Sequence, residues 1–161
     1  MTMNSGFADL VGADSIVLGL EAAGKDSLLA ALAAVAAADT GLAASTILER
    51  VRERESLGPT GFGQGAAIPH ARLAGLDDVI AVVARLAIGI EYGALDGEPV
   101  DMAVLLLSPE GAGADHLKAL ARVSRALRDP VTLAAMRDAG DFDAMRTAIG
   151  AQGVAASQRA A

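Results

Sequence analysis

Along this chain apolar residues recur first at helical spacing, then in two nearly continuous runs, and then at helical spacing again. That succession predicts helices towards both ends with strands between them. Ser15-Ile16-Val17-Leu18 is short and apolar enough for an edge strand, and GKDSLLAALAAVAAA then places Leu28, Leu32, Val35 and Ala36 on one face of a helix. Asp26 or Ser27 is expected to cap that helix, and Gly41 to end it. Thr46 and Glu49 have capping-box spacing for a second helix, TILERVRERE, whose far end carries Arg50, Arg52 and Arg54 before Gly58 stops it. The two apolar runs, Val79 to Ala87 and Val100 to Leu107, have the Val and Ile content and the length of buried strands. Gly93, Gly97 and Pro99 mark the connector between them. In DHLKALARVSRALRD the stripe Leu117, Leu120, Val123 and Leu127 predicts a helix with Asp115 as its N-cap and Lys118, Arg122 and Arg125 off the apolar face. Pro130 suits the first turn of another helix, and DFDAMRTAIG supplies a last one.

These elements predict one α/β domain over residues 13–150, a mixed sheet of about five strands flanked by helices. Residues 1–12 and 151–161 lack an apolar period and are expected to be flexible tails. A chain of 161 residues is long enough to bury a core without staples. Apolar residues make up 53% of it and aromatics only 2%, so that core must be aliphatic.

Charge and cysteine content narrow the function classes. A formal net charge of −7 argues against nucleic acid and against an anionic membrane surface as partners, since both call for basic patches. The apolar runs are too short to cross a bilayer, and MTMNSGFADL has neither the basic start nor the apolar centre of a secretory signal. With no Cys there is no thiolate chemistry, and a cytoplasmic location is the expectation.

The stretch GPTGFGQGAAIPHAR, residues 58–72, breaks the pattern. It holds Gly58, Gly61, Gly63 and Gly65 and one of only two histidines in the chain. A dinucleotide-binding loop would need a strand before it and a helix after it, whereas here a helix precedes and Pro69 follows. Either the glycines make a plain turn, or they keep backbone bare so that a phosphoryl group or a partner can approach. Pro69 holds His70 on a stiff stem, and His116 stands in the first turn of its helix, where the macrodipole favours a nearby anion. Taken singly, each histidine is equally compatible with a structural or exposed role. Thr60 can bond its own loop or meet a ligand, and Arg54 can be a solvated helix-end arginine.

Taken together, Arg54-Glu55, then Gly58-Pro59-Thr60-Gly61-Phe62-Gly63-Gln64-Gly65, then Ala67-Ile68-Pro69-His70, resemble the phosphorylation-site signature of the fructose/mannitol type of enzyme IIA in the bacterial phosphoenolpyruvate-dependent phosphotransferase system. The resemblance spans about residues 14 to 150, and His116, 46 positions after His70, matches the family's second histidine. Among such domains the chain is most similar to the nitrogen-regulatory enzyme IIA. The resemblance implies that His70 accepts a phosphoryl group from a histidine phosphocarrier protein, that His116 offers an N–H to a phosphoryl oxygen, and that Arg54 offsets its charge. It also implies that Thr60, Gly61, Gly63 and Gly65 line the phosphoryl site, and that neither metal nor cofactor takes part. The acceptor would be a regulatory target protein or a separate enzyme IIB.

The chain departs from the family at Pro59, where a serine is usual, and at Gln64, where asparagine is commoner. Pro59 brings no hydroxyl and no N–H, which leaves its effect on the phosphorylation loop open. The alternatives to a regulatory phosphocarrier are a sugar-transport enzyme IIA and an interaction module that carries no phosphate. A metal site on the two histidines lacks further close-spaced ligands.

Overall fold

The computed structural model describes residues 6–150. A short 3-10 turn, Ala8–Leu10, leads into β1 (Val11–Leu20), and two helices follow, α1 (Lys25–Thr40) and α2 (Ala44–Ser56). Three short strands come next: β2 (Gly61–Gly63), β3 (Ala66–Ala67) and β4 (His70–Leu73). The two apolar runs form β5 (Ile80–Ile90) and β6 (Val100–Pro109), after which α3 (Ala114–Arg128), α4 (Pro130–Asp138) and α5 (residues 142–150) close the described chain.

The sheet runs β1-β5-β6-β3-β2, with β4 also paired to β6 beyond the end of β3. It is mixed: β1 lies parallel to β5, β5 antiparallel to β6, and β3 and β4 parallel to β6. Because side chains alternate across a strand, β5 and β6 feed two cores. Ala81, Val83, Met102, Val104 and Leu106 pack beneath α3, α4 and α5, while Val82, Ala84, Leu86, Ala103, Leu105 and Leu107 pack beneath α1 and α2. Both faces are covered, so these strands read as continuous apolar runs rather than as alternating ones.

The expected α/β domain with a mixed sheet is therefore present, built from six strands and five helices among the described residues. The added strands come from residues 61–73, where glycines and two- to four-residue lengths leave no alternating pattern to detect. The edge strand is longer than Ser15–Leu18. It begins at Val11, with irregular pairing between Val11 and Ile16. Of the tail expected over residues 1–12, residues 6–12 belong to the fold: Phe7 is fully buried and Val11 pairs with Ala81. Residues 1–5 and the expected tail 151–161 lie outside the described residues.

Several caps differ from expectation. α1 starts after Gly24, α2 after Ala43 and α3 after Gly113, none with a capping side chain, so Asp26, Thr46 and Asp115 lie inside the first turns. Ser27 instead accepts from the Ala23 N–H. Gly41 does end α1 in the left-handed conformation, and Asp129 caps α4 with Pro130 in its first turn. On α3 the buried face is His116, Ala119, Val123, Ala126 and Leu127, whereas Leu117, expected in the apolar stripe, is 63% exposed.

Candidate functional site

The last turn of α2 sends two neighbouring side chains in opposite directions. Glu55 turns inward and accepts from the Thr60 N–H (2.9 Å), the Thr60 hydroxyl (2.7 Å) and the Tyr92 hydroxyl (3.2 Å). Lys25 pairs with the same carboxylate at 2.8 Å and lies over the Tyr92 ring. Burial pushes the Glu55 carboxyl up, but Lys25 and the two Thr60 donors outweigh it and hold the group below its ordinary value. Burial chiefly raises the Tyr92 hydroxyl, which stays protonated and able to donate. Arg54, one residue earlier, faces the other way: Nη1 donates to the Gly58 carbonyl (3.1 Å) and Nε to His70 Nε2 (3.3 Å). The segment between α2 and β2 is thus pinned at Gly58 and at Thr60, on either side of Pro59.

His70 begins β4 opposite Leu106, and its Nδ1 stands 2.8 Å from the Ile68 carbonyl oxygen. A carbonyl can only accept, so Nδ1 carries the proton and the lone pair of the neutral ring is on Nε2, where Arg54 meets it. Burial, followed by the charge of Arg54, keeps the His70 pKa below its ordinary 6.5 against the opposing effects of Ile68 and Glu55. His116 comes from the first turn of α3, its ring centre 5.6 Å from that of His70. Its pKa is also lowered, first by burial and then by His70 and Arg72. Both rings are therefore neutral near pH 7. His116 Nδ1 lies 2.6 Å from the hydroxyl of Ser108, a fully buried residue on β6.

The two rings line an open cleft of about 450 Å3 together with Arg54, Arg72 and Arg50, and Leu57, Leu117 and Leu120 supply apolar wall. Arg50 is shared with Glu53 and Glu110, whereas Arg54 and Arg72 have no carboxylate partner among the described residues. An arrangement of this kind offers a nucleophilic ring nitrogen in a positively charged pocket, suited to an anionic group.

Residues 9–151 match the family described as Phosphoenolpyruvate-dependent sugar phosphotransferase system, EIIA 2. The chain belongs to this family. The nitrogen regulatory protein of Bradyrhizobium diazoefficiens is 44% identical over 137 residues, covering 85% of this chain and 90% of that protein. The crystal structure of nitrogen regulatory protein IIA-Ntr from Neisseria meningitidis superposes with a TM-score of 0.84 at 27% identity, over 88% of this chain and 97% of that one. The fold is shared with the mannitol enzyme IIA of Escherichia coli, solved with its phosphorylated enzyme IIB, at a TM-score of 0.72 and 17% identity, over 86% and 95% of the two chains.

Within this EIIA 2 domain, His70, His116 and Arg54 meet in the cleft. Thr60, Gly61, Gly63 and Gly65 do not line it. Both Thr60 donors are already committed to Glu55. Gly61 is bare because a Cβ there would come within 3.0 Å of Tyr92 and Ala94. Gln64 and Gly65 make the two-residue turn of the β2–β3 hairpin with φ of 62° and 79°, so the glycine is needed for its left-handed backbone. The Gln64 carbonyl accepts from Arg137, and Asp96 accepts from the Gln64 N–H. What approaches this bare backbone is the chain itself: the connector between β5 and β6 at Gly61 and Gly63, and Arg137 of α4 with Asp101 of β6 at Gly65.

Three contributors escaped the sequence: Ser108, Glu55 as the anchor of Thr60, and Tyr92. Ser108 carried one usable signal. It continues the α3-facing stripe Met102, Val104, Leu106, where packing alone calls for an aliphatic side chain. Among the described residues no helix is long and apolar enough to cross a membrane, and no group of three or more His, Asp or Glu could hold a metal ion.

Proposed function

We propose that this domain is a phosphocarrier: His70 Nε2 accepts a phosphoryl group from the phosphohistidine of a histidine phosphocarrier protein and holds it for a later partner. The observation that carries this is the fixed lone pair of His70. Its Nδ1 proton is tied to the Ile68 carbonyl, and Nε2 faces a cleft containing Arg54 and His116. In the transfer, the bond between phosphorus and the donor's ring nitrogen breaks with its electron pair staying on that nitrogen, as the bond to Nε2 forms. Nothing is oxidised or reduced.

Arg54 already donates to Nε2 and is placed to swing onto a phosphoryl oxygen as the lone pair is used, so that it offsets charge throughout. Arg72 adds a second cation to the cleft wall. The apolar Leu57 and Leu117, both well exposed beside the histidines, give the donor a dry surface to seat against. Phosphorylation replaces a neutral ring by a group of nearly two negative charges, which is enough to change what binds there.

A regulatory role is favoured over sugar transport by the likeness to proteins named nitrogen regulatory protein, of which the Bradyrhizobium relative is matched over 90% of its length. The test is phosphate incorporation from phosphoenolpyruvate with enzyme I and the phosphocarrier protein. We expect an acid-labile, base-stable phosphate on the wild type, none on His70→Ala, and slowed transfer on His116→Ala. A folded wild type that stays unlabelled beside a competent control acceptor would leave the interaction module as the account. Onward transfer to a separate enzyme IIB would assign the transport role instead.

A further inference from the structure

We propose that Ser108 is a positioning residue that sets the tautomer of His116: its hydroxyl donates to Nδ1, so that the ring proton sits on Nε2 and is offered to the cleft. The proposal rests on the phosphocarrier reading for its purpose, and on the geometry of the pair for its substance.

A 2.6 Å contact between a hydroxyl and an imidazole nitrogen has two possible directions. If Nδ1–H donated to the serine oxygen, the hydroxyl hydrogen would need another acceptor. Ser108 is fully buried, and among the described residues its side chain has no second partner. That arrangement would strand a buried O–H and at the same time turn an Nε2 lone pair towards the cleft. The reverse direction satisfies the hydroxyl and leaves Nε2–H free. Only this direction makes His116 a donor to an anionic oxygen; the other would set a lone pair against it.

The surroundings agree. β6 presents Met102, Val104 and Leu106 to the α3 core and then, at the next position on that face, a hydroxyl. α3 buries His116 at 6% exposure in its first turn directly over that position, while the next residue, Leu117, stays exposed. The two histidines thus become complementary: His70 has its proton held on Nδ1 by a carbonyl and shows a lone pair, and His116 has its lone pair held on Nδ1 by a hydroxyl and shows a proton.

The experiment is long-range proton–nitrogen correlation NMR on the 15N-histidine-labelled chain above pH 7, with phosphoryl-transfer kinetics alongside. Wild type is expected to show His116 with a bare, hydrogen-bonded Nδ1 and a protonated Nε2, the signals being assigned by their loss in His116→Ala. In Ser108→Ala the tautomers mix, and the rate of phosphoryl transfer to His70 falls by about tenfold, the low end of what losing a partner behind a functional histidine costs, with the KM for the donor little changed. Ser108→Thr retains the hydroxyl and restores both. A proton on Nδ1 of His116 in wild type, or an unchanged tautomer and rate in a folded Ser108→Ala, would overturn the proposal. Absence of phosphate on wild type would instead overturn the phosphocarrier reading, while the NMR still decides the direction of the hydrogen bond.

Discussion

Residues 58–72 are one stretch of sequence and two kinds of structure. In its first part Thr60 gives its N–H and hydroxyl to Glu55, Gly61 lies against Tyr92 and Ala94, and the Gly65 carbonyl accepts from Asp101 and Met102. A few residues on, His70 holds one ring nitrogen against Ile68 and turns the other to an open cleft beside an arginine that has no carboxylate partner among the described residues. Both parts are rich in unusual residues, yet of the two only the second brings its side chains, His70 and Arg72, to the wall of the open cleft. The glycine string thus packs against the chain itself, away from the cleft that His70, His116 and Arg54 line.

Substitutions on the two sides should therefore fail in different ways. The largest effect is expected from Arg54→Lys. An ammonium cannot span Gly58 O and His70 Nε2 as the guanidinium fork does, so phosphoryl transfer to His70 should fall by about 10²-fold with the fold and its unfolding midpoint intact. Equal rates for Arg54→Lys and wild type would remove Arg54 from the account. Gly61→Ala should show the opposite pattern. Its added methyl has no room against Tyr92 and Ala94, so urea unfolding should show a loss of about 1–3 kcal/mol, while the folded fraction transfers phosphate at the wild-type rate. A Gly61→Ala protein of unchanged stability and lost transfer would return the glycines to the site.

The two kinds of structure were also unequally legible in the sequence. β5 and β6 stood out because burial on both faces makes an unbroken apolar run, and α4 because Pro130 suits a first helical turn. Arg54, His70 and His116 were legible only as a motif; nothing in the residues taken singly separates a reactive histidine from a buried one. β2, β3 and β4 were hidden because strands of two to four residues carry no period. Leu117 fits the helical stripe of α3, but its side chain is exposed and lines the cleft instead. The inward turn of Thr60 depends on Glu55, Tyr92 and Lys25, which only tertiary structure brings together.

The smallest effect concerns pH. His70 and His116 both have pKa values below the ordinary 6.5, so the unfolded chain binds protons that the folded chain refuses. Stability should be indifferent to them above pH 6.5 and fall as pH drops from there through their folded values, more gently in His70→Ala. Glu55 behaves likewise but lower: its stabilising contribution is full above 4.5 and is lost as pH falls through its depressed folded value. Denaturant titrations at intervals from pH 7.5 downward test this ordering, and a curve flat until the carboxylate range would contradict the buried, neutral histidines.

The most direct test of the central claim is to phosphorylate the 15N-histidine-labelled protein from phosphoenolpyruvate through enzyme I and the phosphocarrier protein, and to ask by phosphorus–nitrogen coupling which nitrogen carries the phosphoryl group. The account predicts Nε2 of His70. Phosphate on Nδ1 of His70, on His116, or on neither ring would contradict it.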